Sequence, residues 1–209
     1  MESKMSAKVL RQIDEAVEIL KKGGVIAYPT DTVYGLGTRI FNNEASIKRV
    51  YEIKKRATGV ALPVLLADVS QLREVARDLS PKAWRLINRF MPGGLTLIVY
   101  RSGVISDLIT AGGDTVAIRI PDHPVPRALI RGIGMPIIGT SANISGKPTL
   151  TSAEEVRGEL GKSVDLVIDA EPAPNGREST VVDLAGDIPV VLREGAVSRA
   201  EIAGVIELG

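Results

Sequence analysis

Cysteine is absent from this 209-residue chain, and histidine occurs once, as His123. Those two absences exclude disulfide scaffolds, thiol nucleophiles, cysteine-ligated metals and any two-histidine metal site. Aromatic residues are scarce. All seven (Tyr28, Tyr34, Phe41, Tyr51, Trp84, Phe90 and Tyr100) lie in the first 100 residues, which argues against an RNA-stacking platform spread over the whole chain. No apolar run approaches the roughly 20 residues that span a bilayer. The N-terminal Met1–Ser6 segment lacks the apolar stretch of a signal peptide. A cytoplasmic protein with no membrane partner is expected. The net charge is only +1, which argues against sequence-independent nucleic-acid binding through net charge alone.

What is present is a globular composition, with 44% hydrophobic and 24% charged residues. One domain over residues 1–209 is expected, with residues 1–5 flexible. The charge is unevenly spread. Residues 1–149 hold 21 Lys/Arg against 13 Asp/Glu, and residues 150–209 hold 5 against 12. The densest basic cluster is Lys48, Arg49, Lys54, Lys55 and Arg56. It reads either as a solvated helix face or as an anion site.

Helical and strand patterns alternate along the chain. Ser6 caps a helix carrying Leu10, Ile13, Val17 and Leu20 at helical spacing, ended by Gly23-Gly24. Val25–Tyr28 reads as a strand, followed by a loop from Pro29 to Gly37. Further helices are predicted over Glu44–Ile53, after Asp68, after Ser80-Pro81, over Pro124–Ile130, and after two capping boxes, Thr151–Glu154 and Ser198–Glu201. Strands are predicted at Pro63–Ala67, Leu95–Tyr100, Thr115–Ile120, Pro136–Gly139, Val164–Ile168, Ser179–Leu184 and Val190–Arg193. Ala170–Gly176 reads as a loop. The class is therefore α/β, with a twisted, open mixed sheet and flanking helices.

Familiar nucleotide signatures fail. Gly139 to Lys147 has a six-residue spacer before Gly146-Lys147, and Pro148 stands where a P-loop has Ser or Thr. Gly35-Leu36-Gly37 lacks the third glycine of a dinucleotide fingerprint. His123 reads as a general base or as a turn residue within Pro121-Asp122-His123-Pro124. More informative are two loops that pack hydroxyls among glycines, Pro29–Gly37 and Gly139–Gly146. Such loops at strand ends bring backbone N–H groups and hydroxyls to a ligand, although Ser, Thr, Asn and Gly also dominate ordinary turns. Lys54 and Arg56 point at one anion if the chain leaves its helix between them. Arg119 lies in an apolar strand, so it needs an anionic partner. Either a bound carboxylate held bidentately or a salt bridge to Asp31 or Asp183 meets that need. This inventory suits phosphates and a small carboxylate, with catalysis by positioning and charge stabilisation.

Six motifs in order carry a resemblance: Pro29–Gly37, Lys54-x-Arg56, Pro92-Gly93-Gly94-Leu95-Thr96, Arg119-Ile120-Pro121, Ser141-x-Asn143 and Gly176–Asp183. Together they resemble the YrdC/Sua5 family, the threonylcarbamoyl-AMP synthases, from about Ile13 to Ile202. The resemblance implies a YrdC-like fold with a concave, basic face. It also implies condensation of L-threonine, bicarbonate and ATP into L-threonylcarbamoyladenylate and pyrophosphate. A separate transferase complex would then modify adenosine 37 of tRNA. Carried over by position, Thr32, Arg119, Ser141 and Ser179 are expected to hold threonine, with Arg119 on its carboxylate. Lys54, Arg56, Thr115, Asn143, Thr151 and Arg193 are expected around ATP. Lys54, Arg56, Ser141 and Asn143 are the expected catalytic set. Magnesium is expected through the ATP phosphates, with no protein metal ligand and no organic cofactor.

The chain departs from the family pattern at three places. Leu65 stands where many members have histidine, Ala57–Leu62 is plainer than usual, and Gly94 replaces a frequent proline. The chain ends soon after Arg193-Glu194-Gly195, like a short, single-domain form. Two other readings compete. One is a non-catalytic module binding double-stranded RNA or tRNA on the concave basic face. The other is a carbamoyl-transfer domain of a hydrogenase-maturation enzyme, against which the missing zinc-finger cysteines count.

Overall fold

The computed structural model describes residues 5–170 and 176–209. The expectations for residues 1–5 and for the Ala170–Gly176 loop therefore fall almost wholly outside the described residues. Helix α1 (Ala7–Lys21) starts where the Ser6 side chain accepts from the Val9 amide, and it buries Val9, Ile13, Ala16, Val17 and Leu20 along one face. Each aliphatic side chain buried in this way contributes about 2 kcal/mol. There follow β1 (Ile26–Tyr28), β2 (Gly35–Gly37), α2 (Glu44–Ile53) and β3 (Val64–Leu65). A 3-10 turn over Val69–Gln71 leads into α3 (Leu72–Val75), then α4 (Pro81–Phe90), β4 (Leu95–Tyr100) and α5 (Asp107–Thr110). The chain continues through β5 (Thr115–Arg119), α6 (Pro124–Ile133), β6 (Ile137–Ile138), β7 (Thr140–Ser141) and α7 (Ala153–Leu160). It closes with β8 (Leu166–Val167), β9 (Thr180–Asp183), β10 (Val190–Arg193) and α8 (Arg199–Ala203).

The strands are mixed, as expected, but they form two sheets. One has the order β7-β2-β1-β8 and the other β10-β9-β4-β5-β3-β6. Two short strands lie inside segments read as loops, because their glycines and hydroxyls mask the strand pattern. Gly35–Gly37 pairs antiparallel with β1, and Thr140–Ser141 pairs antiparallel with Gly35–Leu36. The predicted box at Thr151–Glu154 is shifted by one residue. Ser152 caps α7 and Glu155 closes the box, which turns Val156 and Leu160 inward. The box at Ser198 and Glu201 forms as predicted.

Alternation along the six-stranded sheet sorts its two faces. Leu95, Leu97, Val99, Val116, Ile118 and Val182 enter the main core. Thr96, Ile98, Ala117, Arg119 and Val181 line a cavity on the opposite face. A second cluster joins α1 and α6 to β1, β3 and β6 through Leu20, Leu129, Ile26, Leu65 and Ile137. The chain crosses from the larger sheet to the smaller one between β6 and β7, at Gly139. A Cβ there would lie 2.2 Å from Leu65 Cγ, so only glycine fits the crossing without displacing Leu65.

Candidate functional site

Two adjoining cavities lie at that crossing. The first, of about 330 Å³, is walled by the open sheet face and by the Thr30–Gly35 and Gly139–Ser141 segments. The second, of about 550 Å³, lies between the end of α2 and the Ser141–Thr149 loop. Arg56, Val60, Ser141, Glu178 and Arg193 line both.

Arg119 ends β5 with a relative exposure of 7%. Its Nη2 donates to Asp31 Oδ1 at 2.6 Å, its Nη1 to Thr32 Oγ1 at 2.8 Å and its Nε to the Gly93 carbonyl at 3.0 Å. Of the two salt bridges considered, the structure forms the one to Asp31; Asp183 instead accepts from the Ala185 amide. Burial lowers the guanidinium below its ordinary value, and Asp31 opposes that shift. Three of five N–H groups are engaged in these bonds, leaving one on each terminal nitrogen.

The hydroxyl protons here have fixed directions. Thr30 Oγ1 donates to the Val33 carbonyl at 2.7 Å and lies 3.0 Å from Thr32 Oγ1. Thr32 is therefore the donor in that pair, while it accepts from Arg119. Ser141 Oγ donates to Asn143 Oδ1 at 2.6 Å. Both hydroxyls are left with only lone pairs to offer, so a ligand must approach them with an N–H or O–H group. Ser179 Oγ lies 2.8 Å from Thr96 Oγ1, and both are buried.

Helix α2 stops at Ile53, and Lys55 takes a positive φ of 49°. The chain has thus left the helix between Lys54 and Arg56, and both line the second cavity. Lys54 is 2% exposed. Its ammonium donates to the Ser141 carbonyl at 2.5 Å, to the Asn143 carbonyl at 2.9 Å and to Asn143 Oδ1 at 3.2 Å. Burial lowers its pKa to about 8, and Arg56 adds to the shift. Lys54 was expected to neutralise a triphosphate; here all three of its donors hold the Ser141–Asn143 loop. Asn143 Nδ2 closes the same loop on the Lys147 carbonyl at 2.6 Å. Arg56 donates to the Ala61 carbonyl at 2.9 Å. Arg193 pairs with Glu178 at 2.8 Å and donates from Nε and Nη2 to the Ser179 carbonyl.

The structure therefore gathers Thr32, Arg119, Ser141, Ser179, Lys54, Arg56, Asn143 and Arg193 around the two cavities. Thr115 and Thr151 line neither. Thr115 shares the open face with Ala117 and Arg119 but pairs with Tyr100 at the far end of β5. Thr151 bonds to Glu155 through its amide at 2.8 Å and sits beside Gly176. His123 caps α6, with Nδ1 accepting from the Val125 amide at 3.2 Å, so the turn reading is the one the structure bears. The basic cluster divides: Arg49 pairs with Asp165 at 2.7 Å, whereas Lys54, Lys55 and Arg56 reach the cavity.

Sequence reasoning gave no role to Thr96 or Glu178, although both lie inside motifs it singled out. Thr96 is a polar residue alternating with buried Leu95 and Leu97, and that alternation was the available signal. Glu178 is the one carboxylate among the described residues lining either cavity. Among the described residues no His/Cys/Asp/Glu group of three or more could hold a metal ion, and no helix is long and apolar enough to cross a membrane.

The site is thus a sheet face that walls one cavity beside the buried Arg119, with a second cavity lined by Lys54, Lys55, Arg56 and Arg193 adjoining it. The chain belongs to the Sua5/YciO/YrdC family, whose model, described as telomere recombination, matches residues 18–195. It is 45% identical over 196 residues to the threonylcarbamoyl-AMP synthase of Bacillus subtilis, covering 93% of this chain and 56% of that protein. The crystal structure of Pyrococcus abyssi Sua5 complexed with L-threonine superposes with a TM-score of 0.90 at 40% identity, over 93% of this chain and 57% of that one. Escherichia coli YciO superposes with a TM-score of 0.83 at 33% identity, over 92% of both chains. The chain thus spans little more than half the length of the two synthases and nearly all of YciO.

Proposed function

We propose that this chain is an L-threonylcarbamoyladenylate synthase, a nucleotidyltransferase that condenses L-threonine, bicarbonate and ATP. The observation that carries the reading is the polarity of the first cavity. Arg119 offers two N–H groups to a carboxylate, while Thr32 and Ser141 offer only acceptors, which suit the ammonium or hydroxyl of the same small zwitterion. Leu65, Val33 and Val60 supply apolar wall for a methyl group. The L-threonine-bound relative supports this choice of amino acid.

The second cavity receives the triphosphate. Arg56, Lys55, Lys147 and Arg193 line it, and guanidinium groups suit phosphate oxygens. The nucleoside lies along the open sheet face toward Thr115. Magnesium enters as part of the substrate, MgATP, because its preferred partners are phosphate oxygens and water, and among the described residues the one carboxylate lining the cavities, Glu178, is held by Arg193. The free threonine amine takes up bicarbonate with loss of water, giving a carbamate. A carbamate oxygen then attacks the α-phosphate, and pyrophosphate leaves. Ser141 and Glu178, on the wall common to both cavities, mark where these halves meet. Placing two charged reactants in line is the main rate effect such a site supplies. The product would pass to a transferase complex acting on tRNA.

The test is pyrophosphate release by the purified protein with MgATP, omitting threonine and bicarbonate in turn. Release that needs both, with threonylcarbamoyl-AMP identified by mass, is the expected result. Release that needs neither rejects the reading.

A further inference from the structure

Asp31 has no place in the proposed reaction and lines neither cavity. It nevertheless makes the shortest contact of the Arg119 side chain, 2.6 Å from Oδ1 to Nη2. The two side chains are 8% and 17% exposed. We infer that Asp31 is a positioning residue, whose carboxylate locks the Arg119 guanidinium so that its two unused N–H groups face the substrate carboxylate. This rests on the proposed function for what is bound, but the lock itself does not.

The geometry favours a lock over a merely structural ion pair. A guanidinium is a planar fork, and three contacts from two segments fix both its plane and its rotation. Gly93, just before β4, holds Nε; Thr32 and Asp31, after β1, hold Nη1 and Nη2. Thr32 can be pulled away by an incoming ligand, since its hydroxyl also faces the cavity. Asp31 lines neither cavity, so a ligand there does not meet its carboxylate. Its charge also offsets the burial of Arg119, which is otherwise costly.

Three variants of the full chain test this. Asp31→Ala is expected to raise the threonine KM by about tenfold or more, with the ATP KM within about twofold. Asp31→Asn keeps a carbonyl acceptor at Oδ1 and is expected to recover most of that loss. Equal damage from Asn and Ala would overturn positioning in favour of charge alone, and a threonine KM unchanged in Asp31→Ala would overturn any role. Because Asp31→Ala leaves a buried charge unpaired and risks misfolding, nitrogen-15 NMR of the arginine side chains supplies the second readout. The Nη protons of Arg119, assigned by their loss in Arg119→Lys, are expected as separate resonances in the wild type and in Asp31→Asn, and as averaged ones in Asp31→Ala. Averaged resonances in the wild type would overturn the lock. A wild type with no threonine-dependent turnover would instead overturn the proposed function, while the NMR comparison still decides the lock.

Discussion

The Nζ of Lys54 lies 2.9 Å from the backbone carbonyl of Asn143 and 3.2 Å from its side-chain Oδ1, joining positions 89 residues apart. A third bond to the Ser141 carbonyl leaves that ammonium no free proton. The end of α2 and the loop carrying Ser141 are thus fastened by one buried charge.

That fastening has a pH signature. The folded-state pKa of Lys54 is lowered to about 8, whereas an unfolded lysine titrates near ~10.4. Between those values the unfolded chain binds one more proton, so folding stability rises with pH. Below pH 8 both states are charged and the contribution is flat. Denaturant melts of the wild type and Lys54→Met are expected to diverge in favour of the wild type between pH 8 and 10, by up to about 1.4 kcal/mol per pH unit. A difference that stays constant across that window would show that Lys54 is not buried as a cation.

Arg119→Lys is expected to be nearly as damaging as Arg119→Ala. Lysine cannot bond Asp31, Thr32 and Gly93 together and still present two donors. Losing hydrogen bonds to a charged carboxylate costs on the order of 100-fold in kcat/KM for threonine. Steady-state kinetics at saturating ATP reads this directly; a Lys variant with wild-type threonine kinetics would remove Arg119 from the amino-acid site.

Under the proposed function Glu178 competes with the triphosphate for Arg193, with which it pairs at 2.8 Å. Their pair is partly exposed, at 35% and 43%, and such pairs are weak. Glu178→Gln is therefore expected to lower the ATP KM by roughly twofold to fivefold, leaving the threonine KM unchanged, whereas Arg193→Ala raises the ATP KM. A higher ATP KM in Glu178→Gln would mean that the carboxylate assists nucleotide binding instead.

Salt separates synthesis from RNA binding. Binding through phosphate contacts weakens steeply as salt displaces the nucleic acid's counterion advantage. Threonine-dependent pyrophosphate release is expected to vary less than about twofold over a range that abolishes RNA retention on a filter. Loss of both in parallel would favour the RNA-binding reading.

Much of this was legible in the residues themselves. The helix caps at Ser6, Ser80 and Ser198 were readable because a hydroxyl three residues before a buried face has few other uses. Strands β4 and β5 were readable from alternation over five or six residues. Strands β2 and β7 were not, since three and two residues carry no period and their sequences, Gly35-Leu36-Gly37 and Thr140-Ser141, read as turns. They form because tertiary pairing overrides local preference. At the site, the need of Arg119 for an anion was clear from its apolar strand, but the choice between Asp31 and Asp183 depended on packing across 88 residues. Lys54 illustrates the remaining gap. Its motif marks it as functional, yet only the fold shows that its charge is turned toward backbone carbonyls.

The crossing at Gly139 gives the molecule an alignment gauge. Arg119 belongs to the six-stranded sheet and Ser141 to the four-stranded one. Between β6 and β7 the covalent path from one sheet to the other is a single residue long. A small rotation of one sheet against the other would therefore change the gap between Arg119 and the loop that carries Ser141. Ligand-induced tightening, if followed by hydrogen exchange, should show first in the amides of residues 138–142, ahead of any change within β4, β5 or β9.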